Sequence, residues 1–233
     1  MKKNSKLLTN LLSLFYPKIC IGCKKILQEN EDYLCLECLL HLPETNYHLI
    51  HENPLEKIFW GRVKVEKVFC FLFYRKGNYV QSLLHELKYK GNKEIGSYLS
   101  AIYGNKLKES HSLDGIDLIL PIPLHPKKLK LRGYNQSEWI AKGLSKTTGL
   151  PYSTQYLTRE TFTETQTQKS RFNRWENVKN VFKIQNEEDL TGKHILICDD
   201  VLTTGATMEA AIHKVLSVPN SKVSVLTLAT AQD

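Results

Sequence analysis

The sequence predicts an α/β fold, with a mainly parallel sheet flanked by helices and a small N-terminal four-cysteine zinc-binding module. Three observations carry this prediction. Short apolar runs alternate with amphipathic helical patterns along most of the chain. One apolar run, Ile195–Ile197, leads into two adjacent carboxylates and a turn of small residues, and two Cys-x-x-Cys pairs lie near the N-terminus. Strands separated by helices are typical of parallel sheets.

Hydrophobic periodicity places the elements in order. An amphipathic helix is expected near the basic N-terminus, followed by the cysteine module and a linker over 42–60. Ser137 is a plausible N-cap for the helix that begins there. The predicted strands cover 65–74, 117–123, 152–157, 195–197 and 222–229, and the predicted helices cover 79–89, 93–108, 137–148 and a segment from about 205. The polar run over 159–174 has no firm period and is expected to form a loop or hairpin.

The chain organises around the segment 194–210. Asp199 and Asp200 come at the carboxyl end of a predicted buried strand, where open α/β sheets bind ligands. The following turn consists of Thr, Gly and Ala, whose small side chains let backbone N–H groups converge on an anion, and a helix N-terminus adds its dipole. A site that pairs carboxylates with an anion pocket suits a sugar phosphate. The candidate residues are Asp199, Asp200, Thr203, Thr204, Gly205, Ala206 and Thr207.

Two Cys-x-x-Cys turns, Cys20–Cys23 and Cys35–Cys38, are separated by eleven residues. Each turn can direct two thiolates at one tetrahedral ion, so four thiolates predict a closed, structural zinc site. The gap is somewhat shorter than in the usual spacing. Disulfides are an alternative that a cytoplasmic location disfavours, and a redox Cys-x-x-Cys is another.

Charge is distributed unevenly along the 233 residues. The net charge is +8, whereas residues 1–55 contain six Lys/Arg and six Asp/Glu, so the excess lies in residues 56–233. A basic balance favours polyanionic partners, either nucleic acid or phosphorylated metabolites, although a solvated basic surface has the same composition. No run approaches the roughly 18 apolar residues of a membrane span, and a cytoplasmic location is expected.

A cationic loop is predicted directly after the strand 117–123. It spans 124–136, contains Lys127, Lys128, Lys130 and Arg132, and is well placed to meet a pyrophosphate. A solvated basic loop is the plain alternative. The region 74–134 carries eleven Lys/Arg against five Asp/Glu and includes four tyrosines that could stack on the bases of single-stranded DNA: Tyr74, Tyr79, Tyr89 and Tyr134.

The segment Ile197–Thr207 resembles the 5-phosphoribosyl-1-pyrophosphate (PRPP) signature of type I phosphoribosyltransferases. Further motifs occur in a fixed order: the cysteine knuckle, Leu-Lys-Tyr-Lys-Gly, Pro-Ile-Pro-Leu-His, Arg-Gly-Tyr-Asn-Gln, a Thr/Gln-rich basic run and the PRPP signature. This order resembles the ComF (ComFC) family of competence proteins over essentially the whole chain. The core is also similar to amidophosphoribosyltransferases, but an N-terminal glutaminase domain is not expected, so glutamine-dependent amine transfer is not expected either.

The resemblance implies roles for individual residues. Asp199 and Asp200 would bind the ribose hydroxyls and Mg²⁺, and 203–207 would bind the 5′-phosphate. Pyrophosphate would meet a loop and a flexible segment that closes over the substrate. The residues implied for that loop and segment are Pro123, Leu124, His125, Arg132, Arg159 and Arg171.

Several functions follow from the resemblance. The first is a Mg²⁺-dependent phosphoribosyltransferase with an unknown acceptor, acting in DNA uptake during natural transformation. The second is a non-catalytic PRPP-fold module that binds single-stranded DNA, and a third is a phosphoribosyltransferase of nucleotide metabolism. The expected domains are the zinc module over 1–55 and a phosphoribosyltransferase-like domain over 56–233, with a core over about 112–233.

Overall fold

The computed structural model describes residues 17–159 and 181–231. A central sheet contains four strands, and a separate two-stranded ribbon, Leu157–Arg159 (β3) with Phe182–Ile184 (β4), lies beside it. The strands of the central sheet are Val68–Tyr74 (β1), Leu118–Pro121 (β2), His194–Leu202 (β5) and Lys222–Ala231 (β6). The helices are Leu36–Leu40 (α1), Tyr79–Tyr89 (α2), Glu94–Glu109 (α3), Pro126–Arg132 (α4), Gln136–Thr148 (α5) and Ala206–Leu216 (α6), with short 3₁₀ turns at 47–49, 56–59 and 187–190.

The central sheet has the order β1-β6-β5-β2, and all three of its strand pairs are parallel. The predicted parallel α/β fold is therefore confirmed. Strand β5 lies inside the sheet between β6 and β2, which explains why 195–197 is apolar throughout. Because β2 pairs with β5 only as far as Pro121 and Cys198, the end of β5 beyond Cys198 is open on its β2 side.

Hydrophobic residues pack on both faces of this sheet. One cluster contains the inner sides of α2, α3 and α5 together with Leu34 and Leu42 of the N-terminal module. The other contains α6, the 3₁₀ turn at 56–59 and the ribbon. Helices α3 and α5 approach closely at Gly143, where an added Cβ would lie 2.3 Å from the Ser97 carbonyl oxygen.

Three local predictions were wrong. The segment 124–136 is not only a loop, because it contains α4: Pro126 begins the helix, the His125 side chain accepts from the Lys127 N–H (3.2 Å), and Gly133 ends the helix in a left-handed conformation. Helix α5 is capped by Asn135 rather than by Ser137, which lies in its first turn. Of the strand expected over 152–157, only Tyr152 pairs with the central sheet, through an isolated parallel bridge to Ile119 of β2, and the regular strand in this region is 157–159.

The segment 42–60 is more ordered than a linker. The Thr45 N–H donates to the carbonyl of Phe71 at 2.9 Å, and the Phe73 N–H donates to that of Pro43 at 2.8 Å. This segment therefore covers the exposed edge of β1. The predicted N-terminal helix and Arg171, with most of the 159–174 run, lie outside the described residues. Within the described ranges, no helix has the length and apolar character needed to cross a membrane.

Candidate functional site

The carboxylates Asp199 and Asp200 lie within the last four residues of β5, at the carboxyl edge of the sheet. The Asp199 side chain is held by two donors. The Ser137 hydroxyl donates to its Oδ1 at 2.7 Å, and the Asp200 backbone N–H donates to the same oxygen at 2.8 Å. Ser137 itself is buried in the first turn of α5. Helix α5 therefore fixes the orientation of the first carboxylate.

Asp200 is paired with a lysine from a distant part of the chain. The Lys88 Nζ atom, near the end of α2, lies 3.0 Å from Asp200 Oδ1, and the two side chains are 25% and 7% exposed. Asp200 Oδ2 is also buried, and among residues 17–159 and 181–231 it has no hydrogen-bond partner. A buried carboxylate oxygen without a donor is costly, so this atom is available to a ligand or a cation.

Burial dominates the ionisation of Asp199. It raises the pKa of Asp199 to about 7, and repulsion from the neighbouring Asp200 charge acts in the same direction. The hydrogen bond from Ser137 and the charge of Lys88 oppose the increase only in part. A buried carboxylate beside a second carboxylate charge is stabilised in its ionised form by a bound cation.

The turn after β5 forms a small polar cavity of about 70 Å³ that is lined by 201–208 and Asp199. Helix α6 begins at Ala206, so its first N–H groups face this cavity. The exposed hydroxyl residues Thr203, Thr204 and Thr207 surround it. This arrangement can bind a phosphate-sized anion.

Gly205 adopts a left-handed conformation with φ of +78°. An added Cβ would lie 3.0 Å from Ile58 Cγ2 and 3.4 Å from Phe59 Cε1. A side chain here would therefore press on the 3₁₀ turn at 56–59 rather than fill the anion cavity. The glycine is required by backbone conformation and by packing.

A second cavity, of about 210 Å³, lies on the other side of the carboxylates and contains both Asp199 and Asp200 in its wall. Four cations from three parts of the chain line it: Lys88, Lys128, Arg132 and Arg159. Of the residues implied by the resemblance, Pro123 and Leu124 also line this cavity, whereas His125 serves as the N-cap of α4. We call it the cationic cavity.

The Arg-Gly-Tyr-Asn-Gln segment positions Arg132. The Arg132 guanidinium donates to the Gln136 side-chain oxygen and lies 5.6 Å from the centre of the Tyr89 ring. The Asn135 side chain donates to the Ile122 carbonyl at 2.9 Å, which ties this segment to the end of β2. Asp200, Lys88 and Arg132 are therefore held by neighbouring elements around one cleft.

Lys88 and Ser137 are the two contacts of the carboxylates that sequence reasoning missed. A signal for Lys88 was present, because it follows Leu84 by four residues and so lies on the apolar side of α2. A lysine at such a position needs a buried anionic partner. Ser137 gave no such signal, since serine near a helix start is usually explained by capping.

The four cysteines of the N-terminal module converge. Their sulfur atoms all lie within 4.8 Å of one another, and Cys23 Sγ is 3.6 Å from Cys35 Sγ. That distance is far longer than a disulfide bond and close to the roughly 3.8 Å edge of a tetrahedron with Zn–S bonds of about 2.3 Å. An added Cβ at Gly22 would lie 2.8 Å from Cys38 Sγ, so the first turn needs a glycine there. The arrangement suits one zinc ion.

Comparisons with known proteins agree with this architecture. The family model for the phosphoribosyl transferase domain matches residues 140–232. The DNA utilization protein YhgH of Escherichia coli K12 is 30% identical over 201 residues, which cover 84% of this chain and 83% of that protein. The chain belongs to the ComF/YhgH family.

Two more distant matches complete the comparison. Competence protein F of Haemophilus influenzae is 31% identical over 102 residues, covering 43% of this chain and 44% of that protein. The glutamine PRPP amidotransferase of Bacillus subtilis is 19% identical, with a TM-score of 0.41 over 57% of this chain and 26% of that structure. The matched residues of this ComF/YhgH protein include helix α5 from Ile140 onward, both carboxylates and the turn 203–207.

The cysteine cluster predicts the metal content of the purified ComF/YhgH protein. We expect about one zinc per chain by elemental analysis, because four thiolates form a closed tetrahedral site. Cys35→Ser should lower both the zinc content and the melting temperature, since metal binding is coupled to folding of such modules. Cys70→Ser is the matched control, because Cys70 is a buried cysteine of β1 outside the cluster; it should retain the zinc. A parent protein that purifies without zinc, or one whose melting temperature does not change when the zinc is removed, would contradict the prediction.

The ionisation of Asp199 predicts how stability depends on pH in the absence of metal. Its folded-state pKa of about 7 exceeds the ordinary value of 3.8, so the folded state binds more protons between those values and unfolding becomes easier as pH rises through that window. Asp199→Asn removes the cost of ionisation. It should raise the melting temperature at pH 8 by about 2–4 °C or more, the shift typical of 1 kcal/mol at this size, and have a smaller effect at pH 4.

Calorimetry in a metal-free buffer would measure both differences. The exposed Asp114, whose carboxylate lies near His111, provides the control Asp114→Asn. A melting temperature that Asp199→Asn lowers at pH 8, or changes equally at both pH values, would mean that burial of this carboxylate does not oppose its ionisation.

Proposed function

We propose that the cleft around Asp199 and Asp200 binds PRPP together with Mg²⁺, and that the protein uses this site in DNA uptake in the cytoplasm. The observation that carries the proposal is the position of the carboxylate pair, which lies between an anion-binding helix start and a cavity lined by four cations. PRPP has the same order of groups, because its ribose hydroxyls lie between a 5-phosphate and a pyrophosphate. Membership of the ComF/YhgH family supports the cellular role.

The 5-phosphate would bind at the turn 203–207. Backbone N–H groups at the start of α6 and the hydroxyls of Thr203, Thr204 and Thr207 provide donors, and the helix dipole favours the negative charge. The cavity of about 70 Å³ is large enough for a phosphate group. Its size and its donors suit the phosphate end of the substrate.

The ribose hydroxyls and the metal would meet the carboxylates. Asp200 Oδ2 needs a partner, and carboxylate oxygens are preferred ligands of Mg²⁺. Asp199 and Asp200 would hold the ion, which supplies positive charge to neutralise the pyrophosphate when it is bound. The Ser137 hydroxyl would hold Asp199 in place through Oδ1. The other carboxylate oxygen of Asp199 would then contact the substrate.

Lys88 has a distinct task in this proposal. Its ammonium group compensates the charge of Asp200 in the ion pair described above. A cation that binds to the carboxylates would take over that task, and Lys88 could then turn toward the pyrophosphate in the cationic cavity, which it also lines. Together with Lys128, Arg132 and Arg159 it would stabilise the charge on the departing pyrophosphate.

The proposal is tested by titrating Mg·PRPP into the protein in a calorimeter. Asp199→Asn and Asp200→Asn preserve shape and remove one charge each, so each should weaken binding roughly tenfold or more, since hydrogen bonds to charged groups contribute about 1.5–3 kcal/mol. Asp114→Asn should leave the affinity unchanged. Equal affinity in the parent, both cleft variants and the control would exclude this cleft as the PRPP site.

Single-stranded DNA binding is a second candidate function, favoured by the surface of α4. No residue of this helix is buried, and Lys127, Lys128 and Lys130 are exposed beside the cationic cavity. Two tyrosines of the predicted stacking set have structural tasks instead, because Tyr79 donates to the Cys38 and His41 carbonyls and Tyr134 donates to the Leu87 carbonyl. Tyr89, which is 68% exposed, remains available for stacking.

The DNA candidate makes a prediction about salt. Affinity for oligodeoxythymidylate should fall steeply between low and high salt, because phosphate contacts release counterions. Replacing both Lys127 and Lys130 by Gln should reduce the slope of log affinity against log salt by up to about 0.7 for each lost contact. Lys64→Gln, on an exposed lysine paired with Glu66, is the control. Fluorescence anisotropy measures these slopes, and a flat salt dependence in the parent would contradict an electrostatic interface.

A further inference from the structure

Helix α2 connects the N-terminal cysteine module (17–41) to the carboxylate cleft. It begins at Tyr79, which contacts the module, and it ends at Tyr89, next to Lys88 and its ion pair with Asp200. Its 11 residues span about 16 Å, at a rise of roughly 1.5 Å per residue. The two ends of one helix therefore lie at the cysteine cluster and at the cleft.

The Tyr79 hydroxyl holds the start of α2 against the cysteine module. It donates to the Cys38 carbonyl oxygen at 3.1 Å and to the His41 carbonyl oxygen at 2.6 Å. Cys38 lies in the last turn of α1, where carbonyls have no partner within the helix, and His41 is the C-cap residue. Tyr79 thus completes the end of the short helix that contains one of the four clustered cysteines.

The other end of α2 is held at the cleft. The Lys88 Nζ atom lies 3.0 Å from Asp200 Oδ1, and the Tyr134 hydroxyl donates to the Leu87 carbonyl. Lys88 and Tyr89 both line the cationic cavity. The position of α2 therefore determines the charge beside Asp200 and part of the wall of that cavity.

Between its ends, α2 packs as a rigid element against the same core as the cysteine module. The module contributes Leu34 and Leu42 to this core, and Leu39 packs against it. The buried residues of α2 belong to the same cluster: Val80, Leu83, Leu84 and Leu87. Close-packed interiors have low compressibility and transmit strain. A displacement of the module is therefore transmitted along α2 to Lys88.

A second contact leads from the module toward the other carboxylate. Tyr33, between the two Cys-x-x-Cys turns, packs on Tyr98 of α3 with ring centres 5.2 Å apart. Helix α3 lies closely against α5 at Gly143, and Ser137 of α5 donates to Asp199. The module thus contacts α2, which supplies the partner of Asp200, and α3, which supports the helix that holds Asp199.

Zinc would fix the module side of this connection. Helix α1 has only five residues, too few for a helix to be stable by itself, and small metal-binding modules gain much of their folding free energy from the ion. With the four thiolates on one ion, the Cys38 and His41 carbonyls stay within reach of Tyr79. Without the ion, the start of α2 loses two fixed acceptors.

We propose that zinc binding in the cysteine module is coupled to ligand binding in the carboxylate cleft, and that Tyr79 is the positioning residue that couples them through α2. The inference rests on the proposed function, because it takes Mg·PRPP as the ligand of the cleft. Zinc favours the position of α2 in which Lys88 and Tyr89 complete the cationic cavity, and it thereby strengthens the binding of Mg·PRPP. Since coupling between two sites is reciprocal, Mg·PRPP strengthens zinc binding by the same factor.

The test measures this coupling factor from both sides in the full chain. Zinc affinity is measured by competition with a chromogenic chelator, with and without Mg·PRPP. Mg·PRPP affinity is measured by calorimetry, with and without zinc. We expect each ligand to raise the affinity for the other about fivefold or more, the lower end of the range typical of coupled sites.

Two tyrosine variants separate positioning from a purely structural role. Tyr79→Phe keeps the ring and removes the hydroxyl, so it should retain zinc while the coupling factor falls to about twofold or less. Tyr156→Phe is the matched control, because it removes a hydroxyl that donates to Asp189 at 3.2 Å, outside the cysteine module and the cleft. It should keep the parental factor. A general loss of stability does not abolish the reciprocal factor, so this readout is specific to the connection.

A factor near one in the parent overturns the inference, and so does a Tyr79→Phe protein that keeps the parental factor. If the parent does not bind Mg·PRPP at all, the proposed function fails and hydrogen exchange tests the inference separately. Removal of zinc should then raise amide exchange at 85–89 of α2 and leave exchange in α6 unchanged. Unchanged exchange at 85–89, or an equal rise in both helices, overturns the coupling.

Discussion

The site depends on one electrostatic constraint: two adjacent carboxylates at the desolvated end of a central strand, with one lysine to offset them. Burial and repulsion from the Asp200 charge make ionisation of Asp199 costly, and Lys88, which is paired with Asp200, offsets this cost only in part. The surrounding helices and strands provide the groups that contact the two carboxylates. Helix α5 supplies the hydroxyl of Ser137, helix α2 supplies Lys88, and the open side of β5 leaves room for a ligand.

The constraint also explains why distant segments of the family pattern occur together. The Leu-Lys-Tyr-Lys-Gly segment places Lys88 and Tyr89 over the cleft, and the Arg-Gly-Tyr-Asn-Gln segment places Arg132 against Tyr89. Tyr134 in turn donates to the carbonyl of Leu87, one residue before Lys88. The two segments are therefore mutually supporting, and both face the end of β5. The two segments therefore form one packed arrangement beside the carboxylates.

Much of the fold and the cysteine cluster could be predicted from the sequence, because the patterns that indicate them are local. The apolar run 195–197, the helix 79–89 and the paired Cys-x-x-Cys turns each combine a periodicity with a stop or a ligand spacing. Helix α4 was missed because its lysines suggested a loop, although Pro126 and Gly133 are good boundary residues. Lys88 and Asp200 are 112 residues apart in the sequence. No local pattern specifies that the end of α2 lies beside the end of β5, so this ion pair could not be predicted. The covering of β1 by 43–45 is non-local for the same reason.

The most direct test of the account is a crystal structure of the protein with Mg²⁺ and PRPP. The account predicts density for the 5-phosphate at 203–207, the ribose hydroxyls and metal at Asp199 and Asp200, and the pyrophosphate in the cationic cavity. It also predicts that the Lys88 ammonium has left Asp200. PRPP bound elsewhere on the protein, or bound in the cleft with the Lys88–Asp200 pair intact and no metal on the carboxylates, would contradict it.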